Sequence, residues 1–434
     1  MTLRKTTAAI FAAVLLLCVS AVCLGTAEAA DDESYVLTIP GDFSINQSGW
    51  NAIGTIAVKS SGDNGFTAKG LIITVSSDNN FALKSGTSSI DYTFTTAAGG
   101  SETTEFTFAS ADINATNGVS QTVGVIVEDY DDKPFGTYED TLTYTAEIDK
   151  TVVDLATLTA DYEAQDGEVL TGKLGSAGYK ITVAAGATII LKDVDITSIS
   201  NDESHKYAGI TPLGNATIIL EGTNAVKGGY ANYPGIFISP DYTLTIKGSG
   251  SLTASSNGWG AGIGGAYEIA CGNIVIEGGN VTAQGGSAAA EIGGSRAVCG
   301  TITISGGNVT AQGGSGSAGI GSGNSGSCGD ILISGGSVDA TGGGRSAGIG
   351  SGFSNDASCG TITITAGVTR VTATAGGNVA GEGWTNPKNS IGVGDKASCG
   401  TVTIGGTVYW DGSSYKNGGD TYLTQDTLTY PQES

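Results

Sequence analysis

Residues 290–311 read AEIGGSRAVCGTITISGGNVTA, and this stretch decides the fold. Thr301-Ile302-Thr303-Ile304 and Asn308-Val309-Thr310-Ala311 alternate polar and apolar side chains with period two. Such alternation marks short strands with one buried face. Between them Ser305-Gly306-Gly307 supplies glycines that accept positive φ at a tight corner. A helix is excluded, because no window keeps a 3.6-residue period and each interior Gly would cost about 1 kcal/mol.

Working outward, the same unit recurs. Ile210, Ile236, Ile263, Ile292, Ile320, Ile349 and Ile391 sit in Ala-Gly-Ile-like triplets spaced 26, 27, 29, 28, 29 and 42 residues apart. A period in the high twenties with small residues at its corners predicts a stacked repeat, here three short strands and three corners per coil. Equivalent positions then lie over one another. Ile302 stacks on Ile274 and Ile331, and Val309 on Val281 and Val338, as inward rows that form the core. Outward rows run Thr217, Thr243, Asn273, Thr301, Asp330 and onward, then Ile219, Thr245, Val275, Thr303, Leu332 and onward. A third runs Thr253, Thr282, Thr310, Asp339, Thr372, Tyr409. Thr suits exposed strands, and the interrupting acids and aliphatics argue against an ice-binding array.

Cys271, Cys299, Cys328, Cys359 and Cys399, each followed by Gly, form another row, spaced 28, 29, 31 and 40 residues apart. The repeat favours a buried ladder of small soft side chains. Disulfides between adjacent coils are the alternative, since stacking distance falls within Cα–Cα limits. Five thiols in a line do not make a tetrahedral metal site.

Upstream the texture changes. Segments 35–39, 54–58, 71–75, 91–95, 104–108, 123–127 and 141–145 read as strands separated by turn signals, which predicts a β-sandwich over residues 30–150. Residues 151–207 read as the first coils and cap of the solenoid, and 208–434 as its repeats with a C-terminal cap. Residues 1–29 read as a signal peptide: Arg4 and Lys5, an apolar core from Ala8 to Leu17, and Ala27-Glu28-Ala29 as the small-x-small cleavage site. Leu17 and Val22 precede Cys18 and Cys23 where a lipoprotein box wants a small residue. The expectation is therefore a secreted or cell-surface protein without membrane insertion.

Net charge of the whole chain is −23, and removal of Arg4, Lys5 and Glu28 makes the remainder one unit more negative. Such a surface repels nucleic acid and anionic lipid. It is compatible with Ca²⁺, and no other cofactor is indicated.

Two stretches carry a resemblance. Phe135-Gly136-Thr137-Tyr138-Glu139-Asp140-Thr141-Leu142-Thr143-Tyr144 resembles the closing Gly-x-Tyr-x-Asp-x-Leu strand of Ig-like modules in bacterial surface and fimbrial proteins. Ala318-Gly319-Ile320-Gly321-Ser322-Gly323, Cys328-Gly329-Asp330-Ile331-Leu332-Ile333 and their copies, over roughly residues 205–408, resemble the repeats of secreted gut-bacterial proteins labelled carbohydrate-binding-domain-containing. They are also similar to right-handed β-helix modules that bind acidic plant polysaccharides. Those modules carry Asp-rich Ca²⁺ turns, where this chain has Gly-Ser-Gly. The resemblance implies an all-β chain, an N-terminal Ig-like β-sandwich followed by a right-handed parallel β-helix, that binds a glycan or a host or cell-surface polysaccharide.

Catalytic constellations are weak. Glycoside hydrolysis needs two carboxyls about 5–10 Å apart. Asp193 and Asp195 share a predicted strand face, while Asp330 and Asp339 fall on different strands of one coil; neither pair has a basic neighbour at a predictable position. His205, the one histidine, lies in a polar loop, and no Gly-x-Ser-x-Gly elbow follows a strand. No catalytic or metal site is expected.

Aromatic residues point instead to sugar stacking. Tyr267, Arg296, Asn324 and Phe353 hold the same offset in successive coils and so project from one edge. Trp259 lies in the preceding corner, and Trp384 in the insert that produces the 42-residue spacing; insertions on solenoids map to loops on one face. Tyr409 and Trp410 read as a C-terminal cap of the core. The sequence thus predicts a non-catalytic carbohydrate-binding or adhesive protein, with a polysaccharide-active β-helix lyase or hydrolase, or a structural stalk, as alternatives.

Overall fold

The computed structural model describes residues 35–45, 47–61, 66, 69–378 and 388–432, and the backbone alone of 2–3, 6–10 and 25–26. The expected leader, residues 1–29, falls outside these apart from the backbone segments. The chain is all-β and divides into two compact units, Met1–Thr151 and Val152–Ser434.

In the first unit every predicted strand forms. Glu105–Ala109, Gly70–Ser77 and Leu142–Asp149 pair antiparallel in one sheet. Tyr35–Thr38, Gly49–Ser60, Val119–Val127, Ser88–Thr95 and Ala82–Ser85 pair antiparallel in another. Alternate residues of each strand, such as Leu71, Ile73 and Val75, or Tyr92 and Phe94, enter a single buried core. Phe94 meets Phe106 and Tyr144 edge to face across it, the arrangement that ring quadrupoles favour. Buried Asp140 accepts from Tyr92 Oη and Ser77 Oγ, both at 2.6 Å, so its buried carboxyl has hydrogen-bond partners inside the core.

The second unit is a parallel β-solenoid. Its coils build a nine-stranded parallel sheet that runs from Tyr162–Ala164 to Ile391–Gly392. Each coil then adds the Thr–Ile strand, for example Ile302–Ile304, and the Asn–Val–Thr–Ala strand, for example Asn308–Gln312. The inward rows stack as the spacing predicts: Ile274, Ile302 and Ile331 are successive partners, as are Val281, Val309 and Val338. All are buried in one core.

Glycine is required where the isoleucine sheet turns. Gly264, Gly293, Gly321 and Gly350 have φ between 133 and 135°. A Cβ on Gly321 would sit 2.0 Å from the Gly350 carbonyl oxygen of the next coil. The coils stack at backbone contact there, which excludes every other residue.

Several expectations are corrected. Coils from residue 298 onward contain four strand segments rather than three. Val298–Cys299, Ser327–Cys328, Ser358–Cys359 and Ser398–Cys399 form their own parallel sheet. The intervening glycine separates it from the Thr–Ile strand: Gly300 N is shared between the carbonyls of Cys271 and Gly272. Thr217 pairs with Thr245 rather than Thr243, and Ile219 with Lys247. The connection from Ile236 to its strand is two residues longer than that from Ile210, so the isoleucine spacing does not carry into the strands. Tyr409 does not extend the Thr310–Asp339–Thr372 row, because Thr407–Asp411 turns back antiparallel on Thr401–Ile404.

Both ends of the solenoid core are covered. At the start, Asp154 Oδ1 caps the short turn Leu155–Thr157 and Leu155 enters the core. At the finish, Thr427–Tyr430 pairs antiparallel with Arg370–Thr374, while Tyr409, Trp410, Tyr422 and Tyr430 pack on the core. Stacked repeats need such caps, since the last coil has no neighbour to bury its apolar face.

Candidate functional site

Four residues past the repeat isoleucine, from Ile263 onward, the chain has left the isoleucine sheet, and this offset carries Tyr267, Arg296, Asn324, Phe353 and Asp395. The structure gathers some of these and separates others.

Trp259, Tyr267 and Arg296 come together. The Trp259 and Tyr267 rings lie 5.0 Å apart at 43°. Arg296 Nη1 donates to Tyr267 Oη at 3.0 Å, with its guanidinium 5.9 Å from the Tyr267 ring centre. Trp259 is 48 % exposed, yet its backbone is pinned on both sides. Its N–H donates to the Ala231 carbonyl at 2.6 Å, and its own carbonyl accepts from Ser295 Oγ at 2.8 Å. An exposed indole on a fixed backbone is a preorganised platform.

The other predicted residues do not join it. Phe353 lies 4.4 Å from the Arg345 guanidinium and 5.5 Å from Lys396 Nζ, and Arg345 forms a buried ion pair with Asp395. Phe353 is thus packing around a buried charge. Asn324 accepts from Ser325 Oγ at 3.0 Å through its side chain and is half-buried. Trp384 lies outside the described residues.

Sequence reasoning missed Tyr230. It stands one coil before Trp259: Ala231, which accepts the Trp259 N–H, follows it directly. Tyr230 Oη donates to Glu203 Oε1 at 2.8 Å, and Lys206 Nζ sits 5.5 Å over its ring. Lys206 and Tyr230 hold the Glu203 carboxyl below its ordinary value. The 29-residue interval from Tyr230 to Trp259, one coil, is the signal that would have found it.

Acids that a hydrolase reading would use are committed elsewhere. Asp193 and Asp195 do not form a pair on one face. Asp193 is the corner residue of its strand, at φ 56°, and its Oδ1 accepts Thr223 N from the following coil at 2.9 Å. Asp195 reaches back to Lys173 at 2.9 Å. Asp330 Oδ1 accepts Thr361 N at 2.7 Å, as Asn273 Oδ1 accepts Thr301 N at 2.9 Å. His205 is not a free loop side chain either: Nδ1 lies 2.7 Å from Asp202 and Nε2 3.3 Å from the Ala177 carbonyl.

Glu291 is the one repeat position where a carboxyl replaces the glycine of Gly262, Gly319 and Gly348. It is 1 % exposed, and Oε1 accepts Gly285 N at 3.1 Å. Burial pushes its pKa up to about 9. Among the described residues, no group of three or more His, Cys, Asp or Glu is arranged to hold a metal ion, and no helix is long and apolar enough to cross a membrane.

No curated protein and no solved structure matches the chain. Four consecutive stretches, residues 244–267, 274–296, 302–324 and 331–353, match the family model described as Beta helix repeat, and each match ends on the repeat position held by Tyr267, Arg296, Asn324 or Phe353.

Proposed function

We propose that the chain is a secreted or cell-surface, non-catalytic binding protein that holds carbohydrate against the Trp259–Tyr267–Arg296 edge of a right-handed β-helix. The observation that carries this reading is the half-exposed Trp259 ring, set beside Tyr267 and held by a pinned backbone. An aromatic face takes the apolar C–H face of a sugar, and a neighbouring guanidinium offers donors to hydroxyl or carboxylate oxygens. β-Helix repeats occur in both binding proteins and polysaccharide-active enzymes. The commitment of Asp193, Asp195 and Asp330 to backbone and ion-pair contacts favours binding over hydrolysis.

The N-terminal unit is read as an Ig-like module. Supporting this, Tyr138 is buried and its hydroxyl donates to the Pro134 carbonyl at 3.0 Å, just before the last strand, the kind of tyrosine corner found in Ig-like sandwiches.

A glycan and mucin binding screen with the folded protein, with and without Ca²⁺, tests the function. Trp259→Ala and Tyr267→Ala should each weaken binding about tenfold, or roughly 1.4 kcal/mol, with the melting temperature unchanged. Wild-type binding by both variants would overturn the site.

A further inference from the structure

The cysteine row holds more capacity than it uses. Cys271 bridges Cys299 in register, and Cys299–Cys328, Cys328–Cys359 and Cys359–Cys399 are direct parallel partners. Cys271 and Cys299 are joined by a disulfide with their Cα atoms 4.4 Å apart. Parallel partners elsewhere in a stack lie about 4.8 Å apart, inside the span of about 4.4–6.8 Å that disulfides bridge. Every neighbouring pair, as direct partners in a parallel stack, therefore falls within the bridgeable span, while Cys328, Cys359 and Cys399 remain buried thiols.

Cys328, Cys359 and Cys399 are equally buried, at 6 % exposure, and what sets the last apart is a cavity beside it. Cys399 belongs to the last coil and lines a cavity of about 290 Å³ together with Val393, Ala397, Trp410 and Tyr415. We propose that the cysteine row takes up a second disulfide from a low-molecular-weight disulfide that enters this cavity and reacts first at Cys399.

The chemistry balances as thiol–disulfide exchange. The Cys399 thiolate attacks one sulfur of the small disulfide, whose S–S bond breaks and releases one thiolate, which takes up the proton Cys399 gave up. The Cys359 thiolate then attacks Cys399 Sγ, forming the Cys359–Cys399 bond and expelling the second small thiol. Two protein thiols are oxidised and one small disulfide is reduced to two thiols. Attack by Cys328 on Cys359 Sγ next gives Cys328–Cys359 and returns Cys399 as a thiol on the cavity wall, with no net redox change. Five cysteines in line always leave one thiol over, and the terminal position is where a small molecule can find it. Hydrogen bonding with Cys328 and Cys399, together with burial, pushes the Cys359 thiol well up. Cys359 therefore stays protonated and inert until a mixed disulfide forms beside it.

The test exposes the folded full-length chain to oxidised glutathione and follows the thiols of Cys328, Cys359 and Cys399 by alkylation and peptide mass mapping. Three free thiols should fall to one, with every new bridge between adjacent coils and a glutathione adduct at Cys399 appearing before any bridge. Cys399→Ser should slow oxidation of Cys328 and Cys359 at least about tenfold. Cys328→Ser should still form Cys359–Cys399 at the wild-type rate. Three thiols persisting in the folded wild-type chain would overturn the proposal. So would wild-type oxidation of Cys328 and Cys359 in Cys399→Ser. If that variant does not fold, the order of events in the wild type decides: a first adduct at Cys328 or Cys359 overturns the proposal equally.

Discussion

Arg345 and Asp395, 50 residues apart in the chain, form an ion pair with side chains only 3 % and 0 % exposed. Their backbones are joined too, since Asp395 N donates to the Arg345 carbonyl at 2.9 Å. The pair ties the coil of Ile349 to the coil of Ile391, across the long insert. Removing one partner of a buried pair strands the other charge, so Asp395→Ala should cost about 3–5 kcal/mol. Replacing both, as Arg345→Met with Asp395→Leu, should cost far less. Hydrogen exchange in the Ile349–Gly350 and Ile391–Gly392 strands measures the difference locally. Equal losses in the single and double variants would refute it.

Glu291 gives the solenoid a pH dependence of defined sign. Its folded pKa, about 9, stands above the ordinary 4.5. Between those values the folded state keeps a proton that the unfolded state releases, so the residue costs stability increasingly as pH rises through that window. Glu291→Gln removes the titration. Its advantage should be near zero at about pH 4.5 and reach about 1–3 kcal/mol at pH 7. Denaturant midpoints measured across pH 4–9 check this, and a gain independent of pH would contradict it.

Gly321→Ala should disrupt the isoleucine sheet. The added Cβ meets the Gly350 carbonyl oxygen at 2.0 Å, and φ is 134°. Strain and overpacking together should cost at least about 2 kcal/mol. The control is Gly377→Ala, where nothing lies within 4 Å and melting should not change.

Asp330 should prove structural. Asp330→Ala leaves Thr361 N without its side-chain acceptor and should cost about 1 kcal/mol. Asp330→Asn should be nearly neutral, because Asn273 does the same for Thr301. Thermal melts compare the two. A large loss of glycan binding in Asp330→Asn with stability intact would instead place this residue in a binding site.

Strand positions were legible in the sequence to within a few residues, because period-two alternation is a local property. The strand Ala82–Ser85 was not, since Ala-Leu-Lys-Ser is too short to show a period, and it is held by its hairpin with Ser88–Thr95 and by a backbone bridge from Lys84 to Glu139, 55 residues away in the chain. Within the candidate site, Tyr267 and Arg296 were legible as neighbours because they share a repeat offset. Phe353 shares that offset as well, and Arg345 stands four residues before Ile349 as Trp259 stands four before Ile263, but the burial of the Arg345 charge beside Phe353 comes from Asp395 in the next coil.

By itself the sequence determined the repeat, the inward rows and the alignment of Cys271, Cys299 and Cys328. Apolar residues recurring at one offset can all be buried only if the coils stack directly. Only the tertiary structure decided which corner side chains meet: Trp259 against Tyr267, Arg345 against Asp395, Cys399 at the rim of a cavity. Those contacts depend on loop lengths and on the backbone groups of neighbouring coils, and neither is written into the periodic pattern.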